Sequence, residues 1–391
     1  MTETLKPASE DQVLDAIRWA VAEERPLELV GRGSKRGFGR PVQAAHALDL
    51  SGLAGIEVYE PEELVLTARA GTKMAEIEAA LAERGQALAF EPADLGPLYG
   101  GLAGAGTLGG VVGCNLSGPR RIKAGAARDH VLGIEAVSGR GQAFKSGGRV
   151  VKNVTGYDLP KLLTGAFGTL AAMTRITVKV LPAPETVRTL AVAGLDDRAG
   201  IAVLTRALTS PYEVSGAAHL PAGMLGESAR SLIRIEGFGP SVDSRVVALS
   251  DLLGDAGPLA VLDPAESVDL WRGIRDAEPF ISDDRAVWRV SVAPNAGPQV
   301  AAAAGGAHYF DWGGGLVWIA TAPAGDAGAA AIRAAVAAAG GGHATLVRAP
   351  AGLRAAVPVF EPQPAALEAL NRRVRDAFDP RGILSPGRMT A

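Results

Sequence analysis

The sequence predicts an α+β protein of two domains with a returning C-terminal tail, on three observations. Helix-spaced and alternating apolar segments follow one another along the whole chain. Two glycine-rich stretches, residues 30–39 and 100–118, interrupt the N-terminal half. Pro182 and Pro184 then stop an alternating strand, which marks a domain boundary. The 391 residues suffice for two or three cores. The expected divisions are 1–183, 184–362 and 363–391.

Ser9 and Gln12 read as a capping box, and Val13, Leu14, Ile17, Ala20 and Val21 recur at helical spacing until Pro26. Residues 27–30 make a short apolar strand that runs into the first glycine stretch. Residues 63–70 predict a second strand. Residues 73–84 predict a helix, with Met74, Ile77 and Leu81 on one face and Gly85 closing it. Residues 131–137 and 142–145 predict a hairpin around 138–141. In residues 174–181, Ile176, Val178 and Val180 face one way and Thr177 and Lys179 the other, as in a half-buried strand. Beyond Pro184, strands at 232–236, 288–292 and 316–320 mix with Ala-rich helices such as 327–339. A last helix over 365–378 puts Leu367, Leu370 and Val374 on one face. The tail from Phe378 to Arg388 has the turn residues of an ordered segment.

Composition excludes several classes of function. Net charge is -3 with Lys and Arg dispersed, which argues against nucleic acid. The single cysteine, Cys114, rules out a disulfide framework and, by itself, an iron–sulfur or thiolate zinc site. The first thirty residues lack the apolar core of a signal peptide. No run of about 18 apolar residues is present to span a membrane. The cytoplasm is the expected compartment.

The first glycine stretch contains Gly31-Arg32-Gly33-Ser34-Lys35-Arg36-Gly37. Glycine permits the left-handed backbone that turns successive N–H groups onto one anion, and Ser34 and the three cations suit a pyrophosphate. A basic surface turn has the same composition. A Rossmann loop does not fit, because its third glycine would come one residue earlier and Pro41 opposes the helix it requires. The second stretch contains Gly106-Thr107-Leu108-Gly109-Gly110 and Gly113-Cys114-Asn115-Leu116-Ser117-Gly118. Its small residues leave room for a flat ligand against the main chain, and Thr107, Asn115 and Ser117 add hydrogen-bonding groups.

These motifs resemble the FAD domain of the vanillyl-alcohol-oxidase/p-cresol-methylhydroxylase flavoproteins. The resemblance continues through Arg128-Asp129-His130-Val131-Leu132-Gly133 and Lys152-Asn153-Val154-Thr155-Gly156-Tyr157-Asp158-Leu159. It ends with Gly168-Thr169-Leu170 leading to Thr174-Arg175-Ile176, so order and spacing match across residues 8–181. The tail Asp379-Pro380-Arg381-Gly382-Ile383-Leu384-Ser385-Pro386-Gly387 resembles the C-terminal signature of the 2-hydroxy-acid dehydrogenase branch. Within it, residues 113–121 and 151–158 are most similar to the smaller FAD-binding subunits of bacterial glycolate oxidase.

The resemblance implies a two-lobed FAD-binding domain of the vanillyl-alcohol-oxidase type plus an α+β cap domain. Gly31, Arg32, Gly33, Ser34 and Lys35 would hold the pyrophosphate. Thr107, Gly109, Gly110, Gly113, Cys114, Asn115, Ser117 and Gly118 would line the ring and ribityl chain, and Gly168 would also bind the cofactor. Pro92 falls where relatives approach the flavin ring, and Ile176 would offer its backbone to the adenine. The loop of residues 30–39 has no His or Cys, so noncovalent FAD is expected. The implied function is the FAD-binding subunit of a glycolate, or 2-hydroxy-acid, oxidase complex. A histidine-rich FAD subunit and an iron–sulfur subunit would be its partners, and the assembly could sit against the membrane through them. A scaffold subunit without redox turnover and a stand-alone oxidase of a small alcohol remain as alternatives.

Oxidation of a 2-hydroxy acid needs a cation for the carboxylate, a base for the hydroxyl proton and a hydride acceptor. The five histidines, His46, His130, His219, His308 and His343, are dispersed, so no metal site is expected. The catalytic candidates are Lys152 and Tyr157 from the matched motif, and His308 and His343 if they converge. His130 reads as structural, and Arg388 as a surface salt bridge unless the tail packs by the flavin, where it could reach a carboxylate.

Overall fold

The computed structural model describes residues 3–148 and 156–390. The chain groups into two units. The first comprises Met1–Ser117, Ala126–Pro182 and Pro362–Ala391; the second comprises Gly118–Gly125 and Ala183–Glu361. Residues 118–125, expected in the FAD-binding domain, thus belong with the second unit.

The first unit opens with β1 (Glu3–Leu5) and helix α1 (Glu10–Ala22). Ser9 Oγ accepts the Gln12 N–H at 3.3 Å, and Gln12 Oε1 accepts the Ala8 N–H at 2.8 Å, one residue earlier than in a capping box. Val13, Ile17 and Ala20 are its buried face. Strands β2 (Leu27–Val30) and β3 (His46–Asp49) complete a parallel sheet in the order β1-β3-β2. The C-terminal tail extends this sheet. The Leu27 N–H donates to Ile383 O and the Ser385 N–H to Leu27 O, both at 2.8 Å. Ile383 and Leu384 are buried in the core that α1 covers.

Strands β4 (Ile56–Glu60) and β5 (Val65–Arg69), helix α2 (Met74–Ala82), short strand β6 (Gln86–Ala87) and helix α3 (Leu108–Cys114) follow. Then come β7 (Val131–Ser138), β8 (Ala143–Gly147), β9 (Ala171–Lys179) and β10 (Leu181–Pro182). Five of these strands form an antiparallel sheet in the order β4-β5-β9-β7-β8. β9 is its centre, starts earlier than the alternation predicts and is buried on both faces. Thr177 shares a hydrogen bond with Thr67 at 2.9 Å, so a polar residue is accommodated inside the unit.

The second unit is an eight-stranded antiparallel sheet. Its strands are β11 (Thr186–Ala193), β12 (Gly216–Leu220), β13 (Arg230–Gly237), β14 (Leu259–Leu262), β15 (Ala286–Ser291), β16 (Ala307–Asp311), β17 (Leu316–Thr321) and β18 (His343–Arg348). Their order is β14-β11-β13-β12-β16-β17-β15-β18. Ile233, Trp288, Phe310 and Ile319 pack on one face against residues of the helices Asp197–Leu208, Gly239–Leu253, Gly297–Ala304 and Ala329–Ala338. Strand alternation therefore turns Arg234, Arg289, Tyr309, Asp311 and Trp318 to the opposite face. Helix Pro264–Arg275 covers part of that face. Its Trp271 lies 4.6 Å from the Arg234 guanidinium, and its Ile274 carbonyl accepts the Tyr309 hydroxyl at 2.9 Å.

Candidate cofactor site

A cleft opens in the first unit where the loop after β2 meets α3. The close approach of these segments explains the glycines. A side chain at Gly31 would place its Cβ 2.6 Å from Thr107 Oγ1, and one at Gly109 would meet Ala70 at 2.9 Å. Thr107 Oγ1 in turn caps α3 by accepting the Gly110 N–H at 3.2 Å. Gly33 has a φ of +74°. Two turns, Arg36 N–H to Gly33 O and Phe38 N–H to Lys35 O, fold the loop back. No hydrogen bond among the described residues uses the N–H groups of Arg32, Gly33, Ser34 or Lys35. Such a run of unused donors is what an anion-binding nest requires.

Behind the loop lies an ion-paired clamp. Glu28, buried on β2, pairs with Arg36, and Arg388 Nη2 donates to Glu28 Oε1 at 2.7 Å. Arg388 Nη1 also donates to the carbonyls of Arg36 and Phe38 at 3.0 and 3.1 Å. Burial pushes the Glu28 carboxyl up, but hydrogen bonds and charge from the two arginines outweigh it and hold it below the usual range. Arg388 is 5% exposed. It is not the surface salt bridge expected from sequence, because the tail seats it under the loop. On the far side, Phe167 packs edge-on to Phe38 and donates its N–H to Gly113 O at 2.9 Å.

The cleft takes in Gly31, Arg32, Gly33, Ser34, Lys35, Thr107, Gly109, Gly110, Gly113, Cys114 and Gly168, with Arg36, Phe167 and Arg388 beside them. Burial pulls the Lys35 ammonium down; Cys114 and Asp94 oppose this. Lys35 Nζ donates to Ser34 Oγ at 3.2 Å. Burial also pushes the Cys114 thiol up, so it is neutral at pH 7.

Other expected residues lie off the cleft. Asn115 closes α3 in the left-handed region at φ 49°, and its Oδ1 accepts the Arg128 N–H at 3.2 Å. Ser117 Oγ accepts the Ala127 N–H at 2.8 Å. The Gly118 carbonyl accepts Trp312 Nε1 at 3.1 Å within the second unit. Pro92 is buried after Glu91, whose φ is 47°. Ile176 is buried in β9 between Ala68 and Ile134.

The catalytic candidates do not assemble. Lys152 lies outside the described residues, and Tyr157 is 88% exposed. His308 on β16 and His343 on β18 are separated by β17 and β15. His308 Nε2 instead meets Asp197 Oδ2 at 2.8 Å, while Asp197 Oδ1 lies 3.4 Å from His219 Nε2. Sequence reasoning missed Asp197 and Glu28, and Arg36, read there as a cation for the pyrophosphate, is paired with Glu28. The one available signal was Glu28, an acid inside the apolar stretch Leu27–Val30.

A family model described as an FAD binding domain matches residues 3–147. The glycolate oxidase subunit GlcE of Escherichia coli (strain K12) is 35% identical over 383 residues, covering 97% of each chain. The chain belongs to the GlcE family. FAD is the cofactor of this GlcE-family protein, and its role is that of a flavin-linked oxidoreductase subunit. The glycolate oxidase subunit GlcD of Bacillus subtilis (strain 168) is 30% identical over 189 residues, 48% of this chain and 38% of its own. p-Cresol methylhydroxylase with substrate bound superposes with a TM-score of 0.72 at 14% identity, over 99% of this chain and 88% of that one. An alkyldihydroxyacetonephosphate synthase superposes with a TM-score of 0.70 over 98% of this chain and 76% of that one, also at 14% identity. These likenesses establish the vanillyl-alcohol-oxidase type of fold. Among the described residues, no helix is long and apolar enough to cross a membrane.

Proposed function

We propose that the GlcE-family chain binds FAD noncovalently in the cleft and serves a glycolate, or 2-hydroxy-acid, oxidase complex as a cytoplasmic redox subunit. Its partners are a histidine-rich FAD subunit and an iron–sulfur subunit, which bring the complex to the membrane where it acts there. The supporting observation is the unused N–H run of residues 32–35, set beside Lys35 and facing the glycines of α3. These donors would hold the pyrophosphate, and the charges of Arg32 and Lys35 would balance it. Gly109, Gly110, Gly113 and Cys114 present little side-chain bulk, so a flat ring could lie against α3. FAD, when bound, supplies a two-electron acceptor. The lining residues bind and orient, and the described ones include no histidine or carboxylate to remove a substrate proton. The neutral thiol of Cys114 supports noncovalent binding.

Purified chain reconstituted with FAD should show flavin absorption at about 375 and 450 nm. Anaerobic glycolate should bleach it once the partner subunits are present. A chain that takes up no FAD after reconstitution refutes the cofactor role. Absence of bleaching in the assembled complex refutes the redox role and favours a scaffold.

A further inference from the structure

The second unit contains a cation that its described contacts leave without a partner. Arg289 sits on an interior strand of the eight-stranded sheet, on the face away from the helical core. Its guanidinium lies 4.9 Å from the Trp312 ring centroid, and that of Arg121 lies 4.4 Å from the same ring. Elsewhere on this face, charge is paired. Glu236 meets Arg120 at 3.0 Å and Arg234 at 3.6 Å. Arg289 makes no hydrogen bond or ion pair among the described residues. Burial and the Arg121 charge pull it down to about 10, against the opposing charge of Asp311. It is still a cation at pH 7. Two guanidiniums on one indole repel each other, and a half-buried arginine without an acceptor is costly.

The turn that holds the indole is also costly. The cost falls on Trp312, a bulky residue at φ 54°; Gly313 and Gly314, at 67° and 102°, take such angles freely. Asp311 Oδ1 accepts the Trp312 N–H at 2.7 Å, and the Gly118 carbonyl holds Trp312 Nε1. A side chain at Gly314 would stand 2.7 Å from the Pro294 carbonyl, so the turn admits no other packing there. Backbone strain of this kind concentrates at functional sites.

We propose that Arg289, with Arg121 and the Trp312 indole, forms a binding site for a small carboxylate in the second unit. The Arg289 fork matches a carboxylate in geometry, Arg121 adds charge, and the indole keeps both guanidiniums poorly hydrated. The choice of a glycolate-sized acid rests on the function proposed above; the anion site does not.

Calorimetry of the full chain tests this with oxamate, a glycolate-sized carboxylate with no α-C–H to oxidise, against neutral acetamide. Oxamate should bind saturably and acetamide should not. Arg289→Leu should weaken oxamate at least tenfold, and its melting temperature without ligand should equal or exceed that of the parent, because an unpaired charge is removed. Oxamate should raise the melting temperature of the parent and not that of Arg289→Leu. Arg289→Lys, which keeps the charge without the fork, should fall between the two and decides the matter if Arg289→Leu does not fold. No saturable oxamate binding by the parent, or binding by the variants within twofold of it, overturns the site. FAD uptake by the same samples is read separately from absorbance, so failure of the cofactor reading and failure of the anion site are distinguishable.

Discussion

Arg388, in the C-terminal tail, donates to the Glu28 carboxylate on the strand that leads into the cofactor loop. Both side chains are close to fully buried. Without Arg388 the buried Glu28 carboxylate keeps only the half-exposed Arg36, a weaker compensation that should cost about 3 kcal/mol. Arg388→Met also strips the carbonyls of Arg36 and Phe38 of their donor. It should lower the melting temperature by about 6–10 °C and weaken FAD at least tenfold. The double variant Glu28→Gln/Arg388→Met should melt above the single one, because it removes the buried carboxylate and leaves only Arg36, whose half-exposed guanidinium is solvated. A single variant with unchanged melting and unchanged FAD affinity would show that the tail has no part in shaping the loop.

The contact between Gly31 and Thr107 gives a second prediction. Gly31→Ala drives a methyl group into Thr107 Oγ1 and should shift the loop away from α3. FAD affinity should drop at least tenfold. Thr107→Ala removes that oxygen and with it the cap on Gly110, worth about 1 kcal/mol. In the double variant the clash is gone, so FAD affinity should partly return. The coupling between the two changes should be favourable and at least about 1 kcal/mol. Simple additivity in FAD titrations would contradict the packing of loop on cap.

These two contacts mark where the sequence was legible. The glycine stretches could be recognised because close backbone approach leaves glycine at Gly31 and Gly109 as a visible requirement. Helix Ala365–Phe378 is found where its periodicity puts it, since helical spacing is a local property. Arg388 could not be placed, because its partner lies 360 residues away and the pairing depends on the tail joining β2. The central position of β9 was hidden for a related reason. Thr177 looks solvent-facing until Thr67, 110 residues earlier, supplies its hydrogen bond. Asn115 and Ser117 looked like ligand donors, but short polar side chains serve a chain reversal equally well, and here they accept the N–H groups of Arg128 and Ala127.

The Asp197–His308 pair predicts a pH dependence in the second unit. Burial opposes the charge on His308, but the Asp197 hydrogen bond, the Gly306 carbonyl and the Asp197 charge outweigh it and hold its pKa above the ordinary imidazole value. A raised histidine pKa adds stability that is fully present below the unfolded value, about 6.5, and is lost as pH rises through the folded one. Asp197 itself is held far below the carboxylate range, despite its burial, by hydrogen bonds and charge from the two histidines. Its contribution is present above about pH 4 and is lost only in strong acid. Asp197→Asn should therefore destabilise the chain more at pH 5.5 than at pH 8.5. Equal losses of melting temperature at the two values would remove the proton linkage from this pair.

Lys35 yields the prediction most closely tied to the cofactor. Burial depresses its pKa, so the folded chain holds this proton less tightly than the unfolded chain does. At neutral pH the charge then costs stability, and the cost is relieved as pH rises from the depressed value towards about 10.5. Lys35→Met should therefore raise the melting temperature of the FAD-free chain. In the holoprotein the sign reverses. A pyrophosphate at the loop would favour the ammonium, and losing that charge-assisted contact should weaken FAD by about 2 kcal/mol, or roughly thirtyfold. FAD affinity of the parent should also fall as pH rises through the depressed pKa, with no such fall in Lys35→Met. FAD titrations at pH 7 and 9.5, with melting curves of both apoproteins, separate the two effects. A variant that melts lower without FAD and binds FAD as well as the parent would make Lys35 a packing residue and remove it from the pyrophosphate site.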